Sequence, residues 1–235
     1  MMRLAVARVA PPVGAGDVAM PAWLGGSERR RWAALGPAAR HAFIASRALL
    51  RELLRSATAV PAEAWEVSAE AGVAPLARTS AAAGIVVHVS LSHRLGWVAA
   101  AVADSAVGVD VECDRPARSD PGERAALMLS PDELNAWRSV VAAAREDALL
   151  VRWTAKEAWF KACPPDAAPW DFRRVQARAC APADACANVR TWRAAPVHVA
   201  LCCADSRALA AARCEGLPSS GDEAAWHVAA VAPAH

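Results

Sequence analysis

The chain contains 235 residues, of which 55% are hydrophobic, and has a formal net charge of +2 with a pI of about 8.2. This length is enough for one large domain or two small ones. So weak a net charge gives no support for nucleic-acid binding, which requires a clustered basic surface. No uncharged apolar stretch is long enough to span a membrane. The chain has seven cysteines but no CxxC pair, which favours reduced thiols in a cytoplasmic protein over a disulfide framework or a zinc site.

The N-terminal region predicts a strand, a loop and a short helix. Residues 3–10 alternate weakly between apolar and polar side chains and predict a strand that ends at Pro11-Pro12. After a loop, Ser27 is the candidate cap of a short helix that continues to Trp32.

A long amphipathic helix is predicted from about Ala38 to Arg55. Beside its apolar face lies a stripe of arginines, namely Arg40, Arg47, Arg51 and Arg55. Such a stripe is most often exposed to solvent, although Glu52 is the only carboxylate between Pro37 and Pro61 to neutralise it. Residues 58–84 are rich in alanine and predict a loop.

Two predicted strands, at 85–93 and 96–104, are separated by a short turn and indicate a hairpin. The first strand ends in Ser-Leu-Ser-His, with Ser92 and His93 at the last two positions. A serine directly before a histidine is a poor nucleophile–base pair, and no GxSxG elbow surrounds Ser92. The motif therefore does not favour a serine hydrolase.

The segment 107–112 (VGVDVE) predicts a strand with two acidic side chains on one face. Because the side chains of a strand alternate, Asp110 and Glu112 point the same way, about 6–7 Å apart, whereas Val109 and Val111 point into a core. Unpaired carboxylates at this distance repel each other and raise each other's pKa. A hard divalent cation, most simply Mg²⁺, relieves that repulsion.

A second long helix is predicted between Glu146 and Cys163, where neither glycine nor proline occurs. Trp153, Glu157 and Lys161 are spaced i, i+4, i+8 and therefore share one face of this helix. A third carboxylate and a cation beside the acidic strand indicate a site for Mg²⁺ and a phosphate group.

At these residues the chain resembles the 4′-phosphopantetheinyl transferases. That family carries a (V/I)G(V/I)D(V/I)E strand and, further along the chain, a W(S/T)xKE(A/S)xxK helix. The SLSH segment, the SPDE helix start at 130–133 and the SRALLR run of the first long helix are further points of similarity. The resemblance extends from about residue 38 to 204, and the length matches the single-chain, two-half (Sfp-like) class and excludes the half-length trimeric class.

The resemblance implies an α+β fold of two similar subdomains related by a pseudo-twofold axis, each a small, mainly antiparallel sheet packed with helices. The expected N-terminal subdomain, residues 1–104, holds the adenosine and 3′-phosphate side of coenzyme A. The expected C-terminal subdomain, residues 105–235, carries the metal and catalytic motifs. Residues 197–205 are similar to residues 96–104, which is consistent with an internal duplication.

The resemblance also implies transfer of the 4′-phosphopantetheine arm of coenzyme A to a serine hydroxyl of an apo carrier protein, with adenosine 3′,5′-bisphosphate as the other product. Asp110, Glu112 and Glu157 are expected to hold Mg²⁺, or Mn²⁺. Asp110 and Glu157 are then catalytic residues, and Glu157 is the candidate base. Lys161 is expected to bind a phosphate group, and Lys156 to do the same or to steer the serine.

Further ligands of coenzyme A are expected in the N-terminal half: Arg40 and Arg47, with Arg29–Arg31 as competitors, and Ser92 and His93. Two segments depart from the family pattern. Residues 72–75 lack the lysine of a common Gly-Lys-Pro motif, and residues 163–170, after the catalytic helix, lack the usual glycines. Another cation must replace that lysine, or coenzyme A binds more weakly.

Two other functions remain open at this stage. A Mg²⁺-dependent hydrolase that cleaves the pyrophosphate of coenzyme A or of a nucleotide would use the same acids without a carrier protein. A non-catalytic module would bind a carrier or coenzyme A, but an intact acid triad argues against it. We expect a monomeric enzyme of secondary metabolite biosynthesis that acts on an acyl, peptidyl or aryl carrier.

Overall fold

The computed structural model describes residues 1–9, 18–68, 70, 73–81, 85–114, 121–164, 171–181, 183–218 and 221–231. The predicted strand end at Pro11-Pro12, Gly72 of the altered Gly-Lys-Pro segment and residues 165–170 after the second long helix lie outside these ranges.

The described chain forms eleven strands and six α-helices. The strands are β1 (Met2–Arg8), β2 (Glu66–Val67), β3 (Leu76–Arg78), β4 (Val86–Arg94), β5 (Trp97–Ala103), β6 (Val107–Cys113), β7 (Val175–Cys180), β8 (Val189–Ala194), β9 (Val197–Cys203), β10 (Cys214–Glu215) and β11 (Asp222–Ala230). The helices are α1 (Gly26–Ala33), α2 (Pro37–Thr58), α3 (Pro121–Met128), α4 (Pro131–Arg138), α5 (Arg145–Ala162) and α6 (Ser206–Ala211). Both long helices lie within three residues of their predicted bounds.

The strands form two sheets, one of six strands in the order β10-β1-β5-β4-β3-β2 and one of five in the order β6-β9-β8-β11-β7. The pairing is antiparallel throughout, except between β1 and β10. The α+β architecture of two mainly antiparallel sheets packed with helices is therefore confirmed.

The same connectivity occurs in both sheets. In the first, β1 leads through α2 to the hairpin β4–β5, and β5 returns to pair with β1. In the second, β6 leads through α5 to the hairpin β8–β9, and β9 returns to pair with β6. The two segments that resemble each other in sequence, 96–104 and 197–205, supply the equivalent strands β5 and β9.

The two sheets share a core. Val109 and Val111 of β6 are at most 1% exposed and pack in one cluster with residues of the first sheet, including Leu4, Val6 and Ala99. The valines of the acidic strand thus point into a core, as predicted. On the face turned away from this core, the first sheet is covered by α2 and the second sheet by α5. β5 is therefore buried on both sides, which is why its sequence is an unbroken apolar run.

Two local predictions were wrong. Ser27 does not cap α1: the helix begins at Gly26, the Glu28 carboxylate accepts a hydrogen bond from the Gly25 amide at 3.0 Å, and the Ser27 hydroxyl donates to the carbonyl of Val67. The segment 58–84 contains the short strands β2 and β3. The C-terminal strand β11, for which the sequence analysis gave no prediction, lies in the interior of the five-stranded sheet.

Candidate active site

The close approach of α5 to β6 determines the shape of the site. Gly108 lies directly beneath the helix: a Cβ atom at this position would lie 1.9 Å from the carbonyl oxygen of Ala158 and 2.8 Å from the amide nitrogen of Ala162. No side chain fits there, so glycine is required for the contact. The contact brings Glu157 and Lys161 of α5 beside the acidic face of β6.

Asp110, Lys161 and Ser92 form one cluster at the junction of β4, β6 and α5, in which Asp110 and Ser92 are buried and Lys161 is partly exposed. The Lys161 ammonium donates to Asp110 Oδ1 at 2.6 Å, to the Val109 carbonyl at 3.1 Å and to Ser92 Oγ at 3.3 Å. The Ser92 hydroxyl also donates to Asp110 Oδ1, at 2.8 Å. The second oxygen, Asp110 Oδ2, is buried and has no hydrogen-bond partner among the described residues.

Glu112 lies next along β6 and is held by a cation from the first sheet. Arg94, the last residue of β4, places its Nε 3.1 Å from Glu112 Oε2. The sequence analysis did not identify Arg94, because nothing in the linear order pairs residue 94 with residue 112. Its position directly after His93 was the available signal.

Glu157 completes the group of three acids. Its pKa is raised, chiefly because burial disfavours the charged form and also because Asp110 and Glu112 add negative charge, whereas Lys161 opposes the shift. The carboxylate makes no hydrogen bond to any residue in the described ranges. A partly buried carboxyl group with a raised pKa is a better proton acceptor than an exposed one.

Lys156 lies on a different face of α5, and the structure does not bring it to the acids. Its ammonium is fully buried, 2.5 Å from Glu133 of α4, and donates to the carbonyls of Met128 and Phe172 at 2.8 and 3.1 Å. Burial lowers the pKa of Lys156, and Glu133 opposes that shift. Glu133 also completes the predicted cap of α4, since it accepts a hydrogen bond from the Ser130 amide.

A cavity of about 290 Å³ is lined by residues that include Arg31, Phe43, Arg47, Leu91 and His93. Its connection to the cluster runs through β4, in which His93 directly follows Ser92. Arg47 and His93 thus face one space. His93 is exposed, and its pKa is lowered by partial burial and by the positive charges of Lys161, Arg94 and Arg47. The imidazole is therefore largely neutral near pH 7.

The arginine stripe of α2 is not the exposed face that such patterns usually form. Glu28 of α1 is fully buried and forms ion pairs with Arg51 at 2.5 Å and with Arg47 at 3.2 Å. Burial lowers the pKa of Arg47 to about 10, so that the guanidinium still carries its charge near neutral pH. Only Arg55 is exposed, and it pairs with Glu52.

The remaining candidate arginines have local roles in the structure. Arg40 stacks 4.1 Å above the Trp32 ring, and its Nε donates to the Trp32 carbonyl at 3.4 Å. Arg29 donates to the carbonyls of Leu24 and Ala22, at 2.6 and 2.5 Å. Of the three consecutive arginines, Arg31 is the one that lines the cavity with Arg47 and His93.

Comparison with known protein families gives a match in the second half of the chain. Residues 106–212 match the family model of the 4′-phosphopantetheinyl transferase superfamily. The match covers a little under half of the chain, from β6 through α5 and β9 to α6, and so contains all three acids and Lys161. It supports this superfamily and, in general terms, phosphopantetheine transfer. No curated protein matches the chain.

The donor set fits a divalent metal ion. Three carboxylates, one of which has an orphaned oxygen (Asp110 Oδ2), offer the hard oxygen ligands that Mg²⁺ and Mn²⁺ prefer. Asp110, Glu112 and Glu157 do not form a group whose oxygens all lie within 4.8 Å of one another. Lys161 and Arg94 instead neutralise Asp110 and Glu112.

Among the described residues, no helix is both long and apolar enough to cross a membrane.

Proposed function

We propose that the protein transfers the 4′-phosphopantetheine arm of coenzyme A to a serine hydroxyl of an apo acyl, peptidyl or aryl carrier protein and releases adenosine 3′,5′-bisphosphate. The observation that carries the proposal is the junction of β4, β6 and α5. There, three carboxylates meet Lys161, and His93, the next residue of β4 after Ser92, lines a cavity together with Arg47. Acids for a metal and cations for phosphate groups are thus adjacent, as a pyrophosphate substrate requires.

The proposed reaction is a phosphoryl transfer. The serine oxygen forms a bond to the phosphorus that carries the pantetheine arm, and the bond from that phosphorus to the bridging oxygen breaks. The bridging oxygen leaves with adenosine 3′,5′-bisphosphate, and Glu157 takes the serine proton, directly or through a water molecule. Its raised pKa suits it to this role.

Asp110, Glu112 and Glu157 would hold the metal ion, which supplies positive charge to the pyrophosphate oxygens. Lys161 neutralises a further phosphate oxygen, for which its ammonium is suitably placed because 30% of the side chain is exposed. Ser92 orients both Lys161 and Asp110 through its hydroxyl.

Arg47 and His93 are the best-placed ligands for the remaining phosphate of coenzyme A, because both line the cavity. We favour Arg31 over Arg40 as the additional cation, since Arg40 is stacked on Trp32. Lys156 acts as a positioning residue in this proposal, because its ammonium is fully enclosed by Glu133 and two carbonyl groups.

We further propose a cytoplasmic, monomeric enzyme of the single-chain, two-half class, with the halves at residues 1–104 and 105–235. The repeated connectivity of the two sheets supports this division. The described cysteines, all of them free, are in keeping with a reducing compartment.

The decisive experiment is the intact mass of an apo carrier after incubation with this protein, coenzyme A and Mg²⁺. One fatty-acid carrier and one peptide-synthetase carrier are used, with Asp110→Ala as the control variant. We expect the carrier to gain one phosphopantetheine arm, and the gain to disappear with EDTA and with Asp110→Ala.

Two results would contradict the proposal. Consumption of coenzyme A without a change in carrier mass would indicate a pyrophosphate hydrolase. Tight binding of coenzyme A or carrier without any product would indicate a binding module.

A further inference from the structure

A second group of metal-ligating side chains lies outside the candidate active site, where the chain passes from β7 to β8. One ligand atom from each of Cys180, Asp184 and Cys186 lies within 4.8 Å of the other two. Cys180, the last residue of β7, is half-buried, whereas Asp184 and Cys186 are exposed. The group is therefore open to an ion from solvent.

The backbone around these three residues is held in place by hydrogen bonds. The Ala181 amide donates to Asp184 Oδ2 at 2.8 Å, and the Asp184 amide donates to the Ala181 carbonyl at 2.9 Å. His227 of β11 places Nδ1 2.8 Å from the Cys186 carbonyl oxygen. Because a carbonyl oxygen only accepts, Nδ1 carries the proton. The ligand positions are thus fixed from both sides without a metal ion.

We propose that Cys180, Asp184 and Cys186 bind a thiophilic divalent cation of the Zn²⁺ type. Two thiolates and one carboxylate supply three ligands of a tetrahedral site, and water completes the fourth position. Asp184 Oδ2 is occupied by the Ala181 amide, which leaves Oδ1 to coordinate the ion. Binding displaces the two thiol protons into solvent, so affinity rises with pH.

The charge of the group distinguishes a cation site from a disulfide pair. A carboxylate beside two thiols disfavours the thiolate that disulfide formation needs. The same carboxylate stabilises a divalent cation, which lowers the pKa of both thiols when it binds.

Such an ion would tie two separate parts of the five-stranded sheet. β7 is the edge strand and pairs with β11, whereas the chain after Cys186 enters β8 on the other side of β11. A metal ion bound by Cys180, Asp184 and Cys186 would therefore fix the edge strand β7 to the interior of the sheet. Because the unfolded chain does not hold the three ligands together, binding raises the stability of the folded state by mass action.

The test is a titration of the reduced full-length protein with Co²⁺, which reports thiolate ligands through charge-transfer absorption. The oxygen ligands of Asp110, Glu112 and Glu157 give no such band. We expect about one equivalent of Co²⁺ to bind with thiolate absorption, and Zn²⁺ to displace it. Cys180→Ser and Cys186→Ser lose the band, and Asp184→Asn weakens binding roughly tenfold or more.

Cys214→Ser is the matched control, since it removes a thiol from β10 and should leave the titration unchanged. A wild-type chain without thiolate absorption, or a band that persists in Cys186→Ser, overturns the proposal. A Cys180–Cys186 disulfide in peptide maps of protein prepared with Zn²⁺ also overturns it, in favour of a redox pair. In a second readout, Zn²⁺ raises the Tm of the wild type and not that of Cys186→Ser.

Discussion

At the scale of single residues, Lys161 places a positive charge directly against Asp110, one of the three proposed metal ligands. Its ammonium contacts Asp110, Ser92 and the Val109 carbonyl, all at 3.3 Å or less. These contacts fix the position of the positive charge before any ligand arrives, and the exposed part of the side chain leaves room for a phosphate oxygen. Pre-positioned charge of this kind contributes directly to the binding of phosphate groups.

Lys161→Met should weaken coenzyme A binding roughly 10- to 100-fold, because a hydrogen bond to a charged group is worth about 1.5–3 kcal/mol. Isothermal titration calorimetry with coenzyme A measures the effect. Arg173→Met is the control, since it removes an exposed cation that pairs only with Asp171 among the described residues. Unchanged affinity in Lys161→Met would contradict the phosphate role.

His93 should make coenzyme A binding depend on pH. Its pKa is lowered by burial and by Lys161, Arg94 and Arg47, and the phosphates of coenzyme A would neutralise those cations and raise that pKa again. The complex then binds more protons than the free protein, so affinity should increase as the pH falls from about 7 to about 5.5. His93→Gln should show a smaller increase. Equal pH profiles for both proteins would exclude this role.

The contact between α5 and β6 is the feature that matters most at the scale of elements. Gly108→Ala places a methyl group 1.9 Å from the Ala158 carbonyl, so that the helix must move away from Asp110. We expect a loss of about 1–3 kcal/mol or more in the free energy of unfolding and a large fall in transfer activity. Gly36→Ala is the matched control, because no atom lies within 4 Å of the added Cβ.

Denaturant unfolding and carrier mass shifts measure both effects. A Gly108→Ala protein with wild-type stability and activity would show that the close approach is not required.

The ion pair of Lys156 and Glu133 joins α5 to α4. Lys156→Met leaves Glu133 buried without its cation and should cost about 3–5 kcal/mol of stability. Lys156→Met combined with Glu133→Gln removes both charges and should recover much of that loss. If Lys156 only positions α5, the double variant also recovers transfer activity. A stable double variant that remains inactive would instead assign Lys156 a direct part in the reaction.

At the scale of the whole molecule, local sequence patterns were sufficient to predict most helices and strands. Ion pairs between residues that are far apart in the sequence could not be predicted from such patterns. The alternation in VGVDVE and the four-residue spacing of Glu157 and Lys161 are visible in the sequence. Glu28, Arg94 and Glu133 were missed, because their partners lie 18 or more residues away in other elements. β11 was missed because its alanines and mixed charges leave only a weak alternation. The position of Lys156 depends on which face of α5 meets α4, and motif spacing does not contain that information.

The shared core predicts that neither half is stable by itself. Val109, Val111 and Leu201 pack against Leu4 and Val6 in one cluster, so a fragment of residues 105–235 would expose this apolar surface to water. That fragment should aggregate and bind a hydrophobic dye, whereas co-expression with residues 1–104 should give a co-purifying pair with transfer activity. Size-exclusion chromatography and denaturant unfolding provide the measurement. A monomeric 105–235 fragment with its own cooperative transition would show that the second sheet folds independently of the first.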